Sequence, residues 1–131
     1  MKVLVVNAGS TSIKYQLYEM DTEGILAGGV VERVGSSQAF HKWQVGAARS
    51  QSEIQAPTHR AGLDVVLQQL TAPGGPVKDL SELRAVGHRV VHGGEKLVLP
   101  CVITAEVKEI IKSCSQFAPI HNPANLAGIE A

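Results

Sequence analysis

The sequence has no excess of charge of either sign: twelve Lys and Arg face twelve Asp and Glu, so the formal net charge is zero with histidine neutral. Gripping a nucleic acid or another polyanion needs a basic field that displaces counterions, and this composition argues against that class of partner. One small anion held by a few placed groups remains compatible with it. Cysteine is scarce, with Cys101 and Cys114 alone and no CxxC pair. Cys101 lies in the apolar run LVLPCVI and Cys114 on the apolar face of an expected helix, so both are expected as reduced, buried packing residues, not as a disulfide or metal site. Long apolar runs are missing too. The first one breaks at Asn7, too short for a secretory h-region, and no stretch could span a bilayer, which makes a cytoplasmic protein without a membrane partner the expectation. There is no internal repeat and no low-complexity tract.

What is present is an ordinary globular composition. The 131 residues are 44% apolar and 18% charged, enough for one domain with a real core and hardly for two. The first half reads as β structure. Residues 2–6 form a continuous apolar run, and residues 12–19 alternate with Ile13, Tyr15 and Leu17 on one side. DTEG (21–24) is a turn. ILAGGVVERV is a third strand with a bulge expected at Gly28-Gly29, FHKWQV a fourth, and SEIQAP a weaker extended piece. The period then changes. Leu63, Val66, Leu67 and Leu70 make a helical stripe with Thr58 as cap, and Val107, Ile110, Ile111 and Cys114 make a second with Thr104 as cap. Between them TAPGGPVKDL reads as a loop and AVGHRVVHGG as a strand ending in a glycine pair. Asn122 followed by Pro123 gives a third helix start, with Asn122 expected as the N-cap. That helix has barely begun at Ala131, where Leu126 and Ile129 still need partners, so the chain is expected to be a piece of something longer.

Three stretches carry candidate chemistry. In NAGSTSIK, Asn7 to Lys14, a glycine among small residues lets successive backbone N–H groups converge on a phosphate oxygen. Ser10 and Ser12 add hydroxyl donors, Lys14 adds a point charge, and Asn7 can hold a metal-bound water or a ligand oxygen. GxxxxGK[ST] is absent, so this is not a Walker A loop, and a hairpin turn built of turn formers explains the same letters. In VGHRVVHGGE, Arg89 sits inside an apolar strand, a costly place unless a carboxylate or phosphate pairs with it. An ion pair with a local Glu would serve as well. His88 and His92, four apart in a strand, are not placed as joint metal ligands. In FAPIHNPANL, His121 precedes a helix N-terminus, a position favourable to anions, although it also suits a packing histidine.

NAGSTSIK after a strand, GHRVVHGGE and APIHNPANLAGI, in this order, closely resemble the N-terminal part of the acetate kinases and their propionate kinase relatives, over essentially the whole chain. The resemblance implies an actin-like, ribonuclease H-like α/β fold, a mixed five-stranded sheet with flanking helices, of which residues 1–131 would be the truncated N-terminal domain of a two-domain homodimer. It implies phosphoryl transfer between ATP and acetate or propionate, giving an acyl phosphate, with Mg2+. On matching positions it makes Asn7 a metal-site residue and Lys14 a nucleotide-phosphate contact, with Ser10 and Ser12 in the same loop. Arg89 becomes the substrate-carboxylate residue and His121 an active-site histidine. The family's catalytic aspartate, adenine site and magnesium-binding glutamate fall beyond Ala131, so the chain alone is expected to be inactive. The competing expectation is a truncated, non-catalytic module that binds an anion or a partner. A butyrate or sugar kinase is a third reading, and an Arg aimed at the substrate suits a carboxylate better than a neutral hydroxyl.

Overall fold

A computed structural model describes residues 1–131. The apolar run becomes β1 (Lys2–Ala8) and the alternating run β2 (Ser12–Glu19), joined by a tight hairpin in register Val6 to Tyr15, Asn7 to Lys14 and Ala8 to Ile13. The strands β3 (Gly24–Glu32), β4 (Phe40–Val45) and β5 (Ala48–Glu53) continue the antiparallel meander. β6 (Leu83–His88) pairs parallel with β1 on the other side, giving the order β5-β4-β3-β2-β1-β6. The sheet is therefore mixed, as expected, but has six strands instead of five. The extra one is β5, wholly exposed and held to β4 by a two-residue turn whose Gly46 has φ of +58°. It replaces the weaker piece expected at SEIQAP and starts four residues before it.

The period of two decides which face is covered. Leu4, Val6 and Ala8 on β1, Ile13, Tyr15 and Leu17 on β2, and Ala27 and Val31 on β3 are all buried. Helix α1 (His59–Leu70) lays Leu63, Val66 and Leu70 on that face, and the Thr58 hydroxyl accepts the Ala61 amide at 3.1 Å as its cap. Gly62 lets the helix come close, since a Cβ there would lie 2.8 Å from Ile13 Cδ1. Burial of such side chains stabilises by roughly 1.5–3 kcal/mol each. The bulge in β3 is at Leu26, where Leu17 pairs with Ala27 but Tyr18 with Ile25, not at Gly28-Gly29. Those glycines stay in the ladder because the space demands it: a Cβ on Gly29 would lie 2.4 Å from the Lys42 carbonyl and 2.7 Å from Tyr15 Oη.

Helices α2 (Ala105–Ser113) and α3 (His121–Glu130) complete the layer, α3 packing on β1 and β6. Thr104 caps α2 through the Val107 amide at 3.2 Å, as read from the sequence. α3 departs from expectation. It begins at His121, and Asn122 is a buried residue of its first turn instead of the N-cap, because the Asn122 amide already bonds the Ala118 carbonyl from the helical residues upstream. Cys114 is buried as expected, but Cys101 is exposed: Pro100 interrupts LVLPCVI, the run joins no strand, and Val98, Leu99 and Val102 face outward with it. Neither cysteine is in a disulfide. No helix is long and apolar enough to cross a membrane.

Candidate functional site

β1 ends and β2 begins at the tip that carries NAGSTSIK. Asn7 and Lys14 are directly opposed in the ladder and lie on the face that the helices leave open. The loop between them is closed by the Gly9 amide donating to the Ser12 carbonyl at 2.7 Å. Gly9 is tightly placed, since a Cβ there would lie 3.0 Å from Ser12 Oγ. Ser10 is exposed and Ser12 half-buried. From the helix side, His59 Nε2 lies 2.6 Å from the Gly9 carbonyl, donating its proton to it and tying α1 to the loop.

Arg89 reaches the same end of the sheet from the other side. β6 stops at His88, earlier than the strand read through AVGHRVVHGG, and Arg89 prolongs the parallel pairing by donating its amide to the Val6 carbonyl at 3.0 Å. This sets Arg89 beside Asn7. His88 is half-buried, and burial pushes its imidazole below the ordinary histidine range. Beyond it the chain is carried by α3. Asn125 Oδ1 accepts the Val91 amide at 3.0 Å, and Asn122 Oδ1 accepts the His92 amide at 3.1 Å. The His92 ring accepts the Gly94 amide on Nδ1 at 3.0 Å, so a neutral ring carries its proton on Nε2, and it stacks on Phe117 at 5.1 Å. His121, first residue of α3, is exposed next to Asn122.

The three ion pairs of the structure join the N-terminal amine to Glu19 and Asp21, and Lys2 to Glu82. Arg89 therefore has no carboxylate partner, and no local Glu pairs with it. Lys14 is likewise exposed and unpaired. The open face beside Asn7 and Lys14 forms a broad concavity of about 1180 Å³ that runs across the sheet to Lys42 and Arg49. No three His, Cys, Asp or Glu side chains converge in a way that could hold a metal ion. Mg2+ favours carboxylates, water and substrate phosphates. The neutral Asn7 carboxamide thus fits a metal that arrives on phosphate oxygens, through a bound water, and does not by itself make a protein cage.

Sequence reasoning missed His59, Asn125 and the linking role of Asn122. The Asn pair had a signal, two carboxamides three apart on a helix and hence on one face. His59 had none, being fifty residues from the loop it holds.

The chain matches the model of the Acetokinase family over residues 2–131. It is 46% identical over 132 aligned positions to the acetate kinase of Caldicellulosiruptor saccharolyticus and 49% identical over 133 to that of Syntrophomonas wolfei, in each case with the whole chain covered. The crystal structure of Porphyromonas gingivalis acetate kinase superposes with a TM-score of 0.95 at 41% identity, covering 98% of this chain and 33% of that one. A propionate kinase from Francisella tularensis gives 0.88 at 29% identity, covering 98% and 32%. The chain spans about a third of the length of the curated relatives it matches, 33% and 34% for the two named. With an unpaired Lys and Asn at a glycine loop, an unpaired Arg beside them, and this match from end to end, the chain belongs to the acetokinase family.

Proposed function

We propose that the protein of which these residues form a part transfers a phosphoryl group between ATP and a short carboxylic acid, acetate or propionate, giving the acyl phosphate and ADP. The observation that carries this reading is the meeting of two unpaired anion-binding groups from separate segments: the Asn7–Lys14 pair and Arg89, joined through the Arg89 amide on the Val6 carbonyl. In this reading the backbone of Gly9 to Ser12, with the Ser10 and Ser12 hydroxyls and Lys14, holds nucleotide phosphates. Arg89 takes the acid's carboxylate in a charge-assisted pair, and His121, an exposed imidazole at the start of α3, donates to an oxygen of the transferring group. Mg2+, held through Asn7 and the phosphates, would neutralise charge on the phosphoryl oxygens. Such transfer needs little covalent help from protein and mostly orientation and charge neutralisation, which these side chains can give.

The second domain, the homodimer and the cytoplasmic setting belong to the same proposal, as does the inactivity of residues 1–131 alone. A non-catalytic anion-binding module is the rival. Hydroxylamine trapping of acyl phosphate from Mg-ATP and acetate or propionate separates them, run on this chain and on a full-length protein containing it. Product from the longer protein only is the expected result; product from neither overturns the acyl kinase reading.

A further inference from the structure

Asn125 is 3% exposed, in the middle of α3, and spends both ends of its carboxamide outside its own helix. Nδ2 donates to the Ala8 carbonyl at 2.8 Å, while Oδ1 accepts the Val91 amide at 3.0 Å. Ala8 lies between Asn7 and Gly9, the metal and phosphate end of the site. Val91 lies two residues beyond Arg89, the carboxylate end. Around this bridge the helix is held at fixed height. Asn122, fully buried one turn earlier, accepts from the His92 amide and donates to the His92 carbonyl at 2.7 Å and to the Ile111 carbonyl at 3.0 Å. Gly128, one turn later, lets α3 touch β1, since a Cβ there would lie 2.5 Å from Ala8 Cβ.

The geometry points to Asn125 as a positioning residue that sets the spacing between the phosphate-loop end of β1 and the Arg89 segment. This rests on the acyl kinase reading above, in which the two reactants are held by different segments. An apolar residue of the same size would pack α3 equally well but would leave the Ala8 carbonyl and the Val91 amide without their partner. A single carboxamide satisfying both makes the two segments move as one. Phosphoryl transfer is sensitive to that spacing, because nucleophile and phosphorus must stand about 3–3.5 Å apart and in line before reaction.

The test uses a full-length protein containing this segment, with Asn125→Leu, which keeps the branched shape without the polar atoms, and Asn125→Ala, which removes them. Acyl phosphate formation is measured per folded molecule, counted by nucleotide-binding stoichiometry. In both variants kcat falls about ten- to hundredfold. KM for Mg-ATP and for the acid each change by less than about threefold, because each subsite survives and only their mutual placement is lost. An unchanged kcat per folded molecule, with a lower melting temperature alone, overturns the proposal. Amide hydrogen exchange supplies a readout that needs no activity: Asn125→Ala must speed exchange at Val91 and alter it at Gly9. Unaltered exchange at both also overturns it. A wild type that forms no acyl phosphate, yet shows these exchange changes on substitution, defeats the kinase reading and leaves the mechanical tie standing.

Discussion

Lowering the pH across the histidine range destabilises this fold through His41. The residue is 1% exposed on the covered face of β4, stacked on Trp43 at 4.7 Å, with Tyr15 Oη 2.7 Å from its Nε2. Burial pushes its pKa down from 6.5 to about 4, so it folds as the neutral ring, accepting the Tyr15 hydroxyl proton. The same burial raises the Tyr15 hydroxyl well above its usual range, which keeps it a donor. Between pH 6.5 and about 4 the unfolded chain binds a proton at His41 that the folded chain refuses. Stability from this group is thus complete above about 6.5, falls with pH through that window, and is flat below about 4. A depression of this size corresponds to roughly 3 kcal/mol at its limit, at a steepest slope of about 1.4 kcal/mol per pH unit. The assay is urea unfolding of the wild type and of His41→Gln, a neutral side chain that can still meet Tyr15, at intervals from pH 7.5 to 4. Other groups, the half-buried His88 among them, titrate in both proteins and cancel in the difference. That difference should shift in favour of the Gln variant by most of the stated amount as pH falls. A difference that stays flat from pH 7 to 4.5 refutes the reasoning, since His41 would then take up its proton without cost to the fold.

Gly128→Ala places a Cβ 2.5 Å from Ala8 Cβ, and neither atom belongs to a flexible side chain. It should lower stability by about 1–3 kcal/mol, read as the urea midpoint, and an unchanged midpoint would show that α3 can back away from β1. Arg89→Lys in a full-length protein loses the planar fork but keeps the charge, and should raise the KM for the acid about tenfold or more with little change for Mg-ATP. A rise in the nucleotide KM alone would place Arg89 at the phosphate end.

The covered half of the fold was legible because its side chains obey a period. Ile13, Tyr15 and Leu17 alternate into the core, and Leu63, Val66 and Leu70 repeat along α1, so strand and helix followed from local pattern, and the Thr58 and Thr104 caps from short-range chemistry. Two of the misreadings share a cause, a contact made at long range. Gly28 and Gly29 suggested a bulge by residue type, whereas the Lys42 carbonyl and Tyr15 hydroxyl, on two other strands, are what require Gly29. Asn122 has the residue type of an N-cap and the right neighbour in Pro123, but its carboxamide is engaged by His92, thirty residues earlier. LVLPCVI is apolar enough to be a buried strand and meets no strand to pair with.

The candidate site divides along the same line. The residues proposed to touch a ligand, Asn7, Lys14, Arg89 and His121, were picked out by short motifs and given roles by the family resemblance those motifs carry: a carboxamide, two cations and an imidazole without internal partners. What ties the segments bearing Asn7 and Arg89 together is carried by residues that would touch no ligand. His59 holds Gly9 from α1, and Asn125 joins Ala8 to Val91 from α3. Each uses a polar side chain on a main-chain atom of a distant segment, and a main-chain partner leaves no trace in sequence, since every residue has a carbonyl and nearly every one an amide. On the proposal above, spacing between the two ends of the site is written in Asn125, while His59 fixes the loop against α1. A substitution that preserved all four ligand-facing residues but replaced those helix residues would keep every motif and lose the arrangement.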